Sequence, residues 1–216
     1  FIARYMMFKA VYFHRTVRAA VIMLSRAMLL VDGAVGLTEF KSPEEYISLD
    51  DHSVIQRILS MDEVTEEARL AKRLITGYLN RSLLKSVFEI MMHHDDPLYH
   101  SLISRPSLRG SLENEIAEEA GLTPSLVFLD LPSVPSLPYH PDYSGEKHSG
   151  FDVKIIGKED SERTPRSVFD VSPMVQSLRG FMGLARVYTF PEHRERVFKA
   201  SKRVFGERPY SFKISL

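Results

Sequence analysis

Residues 1–30 read FIARYMMFKAVYFHRTVRAAVIMLSRAMLL, a run that contains neither proline nor glycine. Apolar and charged residues recur in it at three- and four-residue spacing, which predicts one long helix. Glycines follow at positions 33 and 36, so we expect this helix to end near Val31. Its second half carries an apolar stripe of the kind that packs against a protein core. The stripe consists of Ala19, Ala20, Ile22, Met23, Ala27 and Leu30.

The first half of this helix has a mixed cationic and aromatic face, formed by Arg4, Phe8, Tyr12 and Arg15. Spacings of four, four and three residues place these side chains together on a continuous helix, with His14 and Arg18 on a neighbouring face. Guanidinium groups beside an aromatic surface suit a ligand with anionic and flat parts, such as a nucleotide. The alternative is a core helix whose arginines pair with carboxylates or lay their stems on apolar surface. Both readings fit the spacing.

The composition of the 216 residues is that of an ordinary soluble domain, with 44% hydrophobic and 26% charged residues. Lys and Arg together number 28, as do Asp and Glu, so no global charge favours nucleic acid or a membrane surface. The chain has no cysteine, which excludes disulfides and cysteine-bound zinc and fits a cytoplasmic protein. No uncharged stretch approaches the roughly 20 apolar residues of a membrane span.

Capping residues predict further helices in the first 80 residues. Ser42, followed by Pro43 and two glutamates, begins a short helix that reaches about Ile47. Asp50 or Asp51 should cap a helix over 52–61, and another amphipathic helix should cover 65–79.

The rest of the chain alternates strands and helices. We expect strands at 80–90 (which could also be a helix end), 125–131, 151–156 and 184–190, and helices at 112–120, 172–181 and 192–205. The proline-rich residues 132–150 should form a loop, and the segment between Pro97 and Pro106 has no clear pattern. The prediction is therefore an α+β fold, with a mostly helical part at 1–90 and a smaller α+β lobe at 91–216.

Short motifs recur in an order that points to a family. They are YFHR at 12–15, LDDHSVI at 49–55, NRSLLK at 80–85, FLDLPSVPSLPY at 128–139 and ARVY at 185–188. In this order they resemble HD-domain phosphohydrolases, in particular the deoxynucleoside-triphosphate triphosphohydrolase branch, whose helix after the metal site carries Tyr-x-His-Lys. The resemblance implies that the helical part continues an HD-domain bundle.

The resemblance also implies roles for individual residues. Arg4 matches an arginine that binds and stabilises the substrate triphosphate, and Tyr12 matches a tyrosine that lies against the nucleoside. Members activated by a nucleotide bind that effector partly through residues that correspond in this chain to His14, Arg15, Arg81 and Lys85. Two positions depart from the pattern: Arg15 replaces lysine, and Phe13 stands where some relatives have a glutamine near the base.

The family's metal ligands, a His…His-Asp…Asp set, precede the Tyr-x-His-Lys helix and would fall before residue 1. The chain begins with Phe1 inside a predicted helix, so we expect natural residues to precede it, together with the ligands of a divalent metal ion. Residues 1–216 should then be inactive alone. The implied partners are a nucleotide substrate, a nucleotide effector and further copies of the chain. The alternative function is a non-catalytic module that binds nucleotides or mediates oligomerisation.

Four further patterns are better explained without function. The histidines and aspartates between 92 and 100 include a His-Asp pair, but a solvated loop is the expected structure there. Glutamates 113, 115, 118 and 119 should form a solvated helix face, and so should the basic residues of the last helix, with nucleic-acid contact the less favoured alternative. Scattered serines lack the nucleophile elbow of a serine hydrolase.

Overall fold

A computed structural model of the chain describes residues 2–92, 97–132, 154–156, 165–174 and 183–206. These residues form the predicted α+β fold, with helices around a small antiparallel sheet. The helices are α1 Ile2–Met7, a π-helix at Phe8–Tyr12, α2 Arg15–Val35, α3 Pro43–Ile47, α4 Asp51–Ser60, α5 Glu66–Leu79, α6 Pro97–Ser104, α7 Pro106–Ala120, α8 Val168–Val171 and α9 Arg194–Phe205. The strands are β1 Lys85–Met92, β2 Val127–Asp130, β3 Lys154–Ile155, β4 Arg166–Ser167 and β5 Gly183–Thr189.

The prediction of one continuous opening helix is wrong. The π-helix follows α1 directly, and the helical path then stops at Phe13 and His14, where His14 has an extended backbone (ψ 132°). Neither glycine nor proline marks this break; two side chains of one distant strand, β5, hold it. The end of α2 also lies beyond the predicted position: Gly33 is accommodated inside the helix, and Gly36 ends it with a left-handed φ of 64°.

The predicted caps at Ser42 and Asp50 are confirmed. The hydroxyl of Ser42 accepts a hydrogen bond from the backbone N–H of Glu45. Thr65, predicted as the first residue of its helix, is the cap of that helix and accepts a hydrogen bond from the N–H of Ala68. Asp50 and Ser53 form a reciprocal capping box at the start of α4. These bonds satisfy N–H groups that the first helical turn leaves without partners, so they fix three helix starts from local sequence alone.

The sheet has the order β1-β5-β2, with β5 antiparallel to both neighbours. It lies between two hydrophobic clusters. Phe128 and Tyr188 pack with α2, α4 and α5, whereas Leu129 and Val187 pack with α6, α7 and α9. Alternation along β2 and β5 therefore gives these two strands two buried faces, whereas β1 buries Phe88, Ile90 and Met92 on one face and exposes Met91 on the other. The sheet joins a strand from 1–90 to two strands from 91–216, and the boundary between those two parts remains a prediction.

Some expectations differ from the structure or lie outside it. Residues 97–104, which had no clear pattern, form α6, and α7 begins at Pro106 instead of Leu112. The expected proline loop, most of the predicted helix at 172–181 and the histidine-aspartate run at 93–96 lie outside the described residues. Along the described ranges, no helix combines the length and the apolar composition needed to cross a membrane.

Candidate functional site

The helix break at Phe13 and His14 is anchored to the sheet by side chains of β5. The ring of Phe13 is 4% exposed, and its backbone carbonyl accepts a hydrogen bond from the Arg186 guanidinium. The hydroxyl of Tyr188 donates to the carbonyl of Arg15 at 3.1 Å. The Phe13 carbonyl, which lies outside the helices, is therefore satisfied by a strand more than 170 residues away, and the Arg15 carbonyl in the first turn of α2 receives a hydrogen bond from the same strand.

Both anchoring side chains are themselves held in place. Arg186 lies opposite Glu89 in the β5–β1 register, and its Nε donates to the Glu89 carboxylate at 2.5 Å. Tyr188 is fully buried, and this burial raises the pKa of its phenol well above the usual range. In the sequence, ARVY is recognisable only as a motif. The sequence does not indicate that the side chains of Arg186 and Tyr188 reach the first helix.

The residues next to the break face solvent. Tyr12 is 46% exposed, and its ring centroid lies 4.8 Å from that of Phe8. His14 caps α2: its Nδ1 accepts a hydrogen bond from the N–H of Thr16 at 3.3 Å, which leaves the neutral ring's proton on Nε2. Arg15 is exposed. The break thus presents an aromatic ring, an imidazole and a guanidinium along four consecutive residues.

The remaining predicted site residues are less closely placed. Arg4 lies in α1, and its side chain lies outside the described part of the chain. Arg81 is exposed in the turn before β1 with a left-handed φ of 56°, and Lys85 is exposed at the start of β1. Lys85 precedes Ser86, which pairs with Tyr188 in the sheet. Because the Tyr188 hydroxyl donates to the Arg15 carbonyl, Lys85 is connected to Arg15 only indirectly. Among the described residues, no hydrogen bond or ion pair joins either cation to the break.

Two ion pairs that sequence reasoning missed connect α2 to the rest of the molecule. Arg18 binds Asp130 of β2 through Nε at 2.9 Å and Nη2 at 2.5 Å, and this bond raises the pKa of Arg18. Arg26 binds Glu113 of α7. The prediction that Glu113 belongs to a solvated face is wrong: the residue is 7% exposed and also accepts the Leu129 N–H at 2.7 Å. Residues 115, 118 and 119 are exposed as predicted.

The described residues offer no site for the implied metal ion. Within the ranges that the structure covers, no three histidine or carboxylate side chains converge as metal ligands would. Two carboxylates that contact α2, Asp130 and Glu113, are each paired with an arginine. Chemically, this arrangement can offer cationic groups and an aromatic surface to an anionic ligand.

Comparison with known proteins gives a family and a fold. Residues 1–210 match the family model described as "HD associated region". The fold is similar to that of a hypothetical protein from Aquifex aeolicus, with a TM-score of 0.59 and 18% sequence identity. That match covers 93% of this chain and 43% of the Aquifex protein, so the chain spans less than half of that protein's length. No protein with a curated description is significantly similar to the chain.

Proposed function

This chain belongs to the family of HD associated regions, and we propose that it forms the nucleotide-contacting wall of an HD-domain phosphohydrolase that acts on nucleoside or deoxynucleoside triphosphates. The observation that carries the proposal is the anchored break. Its buried ring and two sheet-bound carbonyls fix the backbone from which Tyr12, His14 and Arg15 project into solvent.

The chain's own residues contribute binding and charge. Arg4 binds the triphosphate and stabilises the charge that builds up on phosphate oxygens in the transition state, because guanidinium groups match phosphate with paired donors. Tyr12 lies against the flat nucleoside. His14, Arg15, Arg81 and Lys85 bind an effector nucleotide. Divalent metal ligands come from outside the described residues, and the working protein is a cytoplasmic homo-oligomer.

The proposal is tested on the natural full-length protein, supplied with divalent metal ions and a panel of nucleoside and deoxynucleoside triphosphates. We expect free inorganic triphosphate as the product. Release of orthophosphate alone would identify a different reaction. Absence of any hydrolysis, together with nucleotide binding that depends on Tyr12, would instead support a non-catalytic nucleotide-binding module.

Replacement of Arg4 tests the proposed charge stabilisation. Arg4→Ala should lower kcat by about 10²–10³-fold, the loss measured when a single donor to transition-state charge is removed. The matched control is Arg69→Ala, which deletes the same charge from an exposed position of α5 where, among the described residues, the arginine pairs with Glu66 alone. Equal rates for the two variants would rule out this role for Arg4.

A further inference from the structure

A second candidate binding site lies in a cleft of about 330 Å³ between α2, the first turns of α7 and the end of β2. Three guanidinium groups line it, from Arg18, Arg26 and Arg109. None of its lining residues is among those to which the family resemblance assigns a role. Ligand binding in this cleft is therefore independent of the proposed function.

The charges in the cleft do not cancel. Asp130 and Glu113 also line it, but each is paired with its own arginine, Arg18 and Arg26 respectively. Arg109 has no carboxylate within ion-pair distance in the described part of the chain. The lining therefore carries one net positive charge, and the two carboxylates hold the guanidinium groups that flank the cleft.

Arg109 also has an unsatisfied donor. Its Nη2 donates to the carbonyl of Ile103 at 3.3 Å, whereas its buried Nε has no hydrogen-bond partner among the described residues. Native proteins rarely keep a buried donor without a partner, so contacts within the described residues do not use the full donor capacity of this guanidinium. Because Nε is closed to solvent, an acceptor in the cleft binds Arg109 either through its other N–H groups or after a shift of its side chain.

We propose that the cleft binds the phosphate group of a small-molecule ligand. Guanidinium groups recognise phosphate through pairs of parallel N–H donors, and arginine holds its charge at every physiological pH. The partly open cleft combines that donor chemistry with an excess of positive charge. The phosphate is either free inorganic (poly)phosphate or part of a nucleotide, and both sources present the same oxygens to the arginines.

The test is calorimetric titration of the full-length protein with inorganic phosphate, inorganic triphosphate and a nucleoside triphosphate, in wild type and in Arg109→Gln. We expect the variant to bind at least one of the three ligands about tenfold more weakly, the loss that corresponds to one charged hydrogen bond of about 1.4 kcal/mol. Arg109→Lys, which keeps the charge but loses the planar fork, should fall between the two. Arg69→Gln is the control and should bind all ligands like wild type.

A second measurement does not depend on the folding of any variant. In the wild-type protein, bound ligand should slow amide hydrogen exchange in 106–113 and 127–131, the segments that line the cleft. If Arg109→Gln binds all three ligands more weakly, the cleft recognises phosphate itself. If the variant binds only the nucleotide more weakly, the nucleoside adds contacts. Both results support the proposal. Unchanged affinities, or protection confined to other segments, would overturn it.

Discussion

At the scale of single residues, Glu113 shows how a charged side chain becomes part of a core. Burial raises its pKa, although Arg26 and the Leu129 N–H pull the pKa the other way. A carboxyl whose pKa is higher in the folded than in the unfolded protein binds more protons when folded. Its contribution to stability is therefore complete below the ordinary glutamate pKa of about 4.3 and declines as the pH rises through the folded value.

Glu113→Gln tests whether the stability contributed by Glu113 falls as the pH rises. The free energy of unfolding of wild type, relative to that of the variant, should fall as the pH is raised from about 4 towards neutrality, because only the wild-type carboxyl loses its proton in this window. Urea unfolding at a series of pH values measures the difference. Glu115→Gln, a change at an exposed position of the same helix, should leave the pH profile unaltered. A relative stability that rises with pH would show that Arg26 outweighs burial.

The prediction for Glu113 was wrong for a physical reason. Four glutamates in a short helix indicate a solvated face, and three of them are indeed exposed. The fourth is buried because α2 brings Arg26 to it from 87 residues away and β2 supplies a free N–H. A local sequence pattern does not indicate a hydrogen-bonding or ionic partner that only the tertiary fold brings close.

At the scale of elements, two glycines of α2 should respond oppositely to the same change. A methyl group at Gly33 meets nothing within 4 Å, so Gly33→Ala should stabilise the protein by about 0.5–1 kcal/mol through reduced chain entropy. Gly36 has a φ of +64°, so Gly36→Ala should cost about 1–2 kcal/mol. Thermal unfolding of the two variants measures both effects, and each is the control for the other. Shifts of the same sign would contradict the assigned end of α2.

Elements were predicted well wherever their signals are local. The predicted caps at Ser42 and Asp50 are confirmed, and Thr65 caps the helix that was predicted to begin there. In all three cases the capping atom lies within three residues of the N–H group that it satisfies. The break at Phe13 had no such signal. It depends on Arg186 and Tyr188, and a helical periodicity continues across it in the sequence.

At the scale of the whole molecule, the Arg18–Asp130 pair ties the first long helix to the sheet. Asp130 is 5% exposed, so Arg18→Met would leave a buried carboxylate without its partner, at a cost of about 3–5 kcal/mol. Asp130→Leu in the same protein should recover much of that loss, because the double variant leaves no charge uncompensated. Chemical unfolding of both single variants and of the double variant measures the coupling. Additive losses would show that the two side chains do not interact in solution.

The α+β class and the chain order of its larger elements were predictable, since periodicity and turn residues determine them. The order of strands in the sheet was not. Residues 80–90 could be read as a helix end or a strand, and their pairing with β5 appears only in the structure. The cleft was equally hidden, because its three arginines come from two helices and none belongs to a recognisable motif.

The π-helix at Phe8–Tyr12 has a consequence for how this chain is aligned with its relatives. A π-turn is equivalent to one residue inserted into an α-helix, and each α-helical residue turns the chain by about 100°. A relative with an uninterrupted helix should therefore align with a one-residue gap in this segment. The backbone of α1 would then be rotated by about 100° about the helix axis, relative to the orientation that counting along an ideal helix assigns to it.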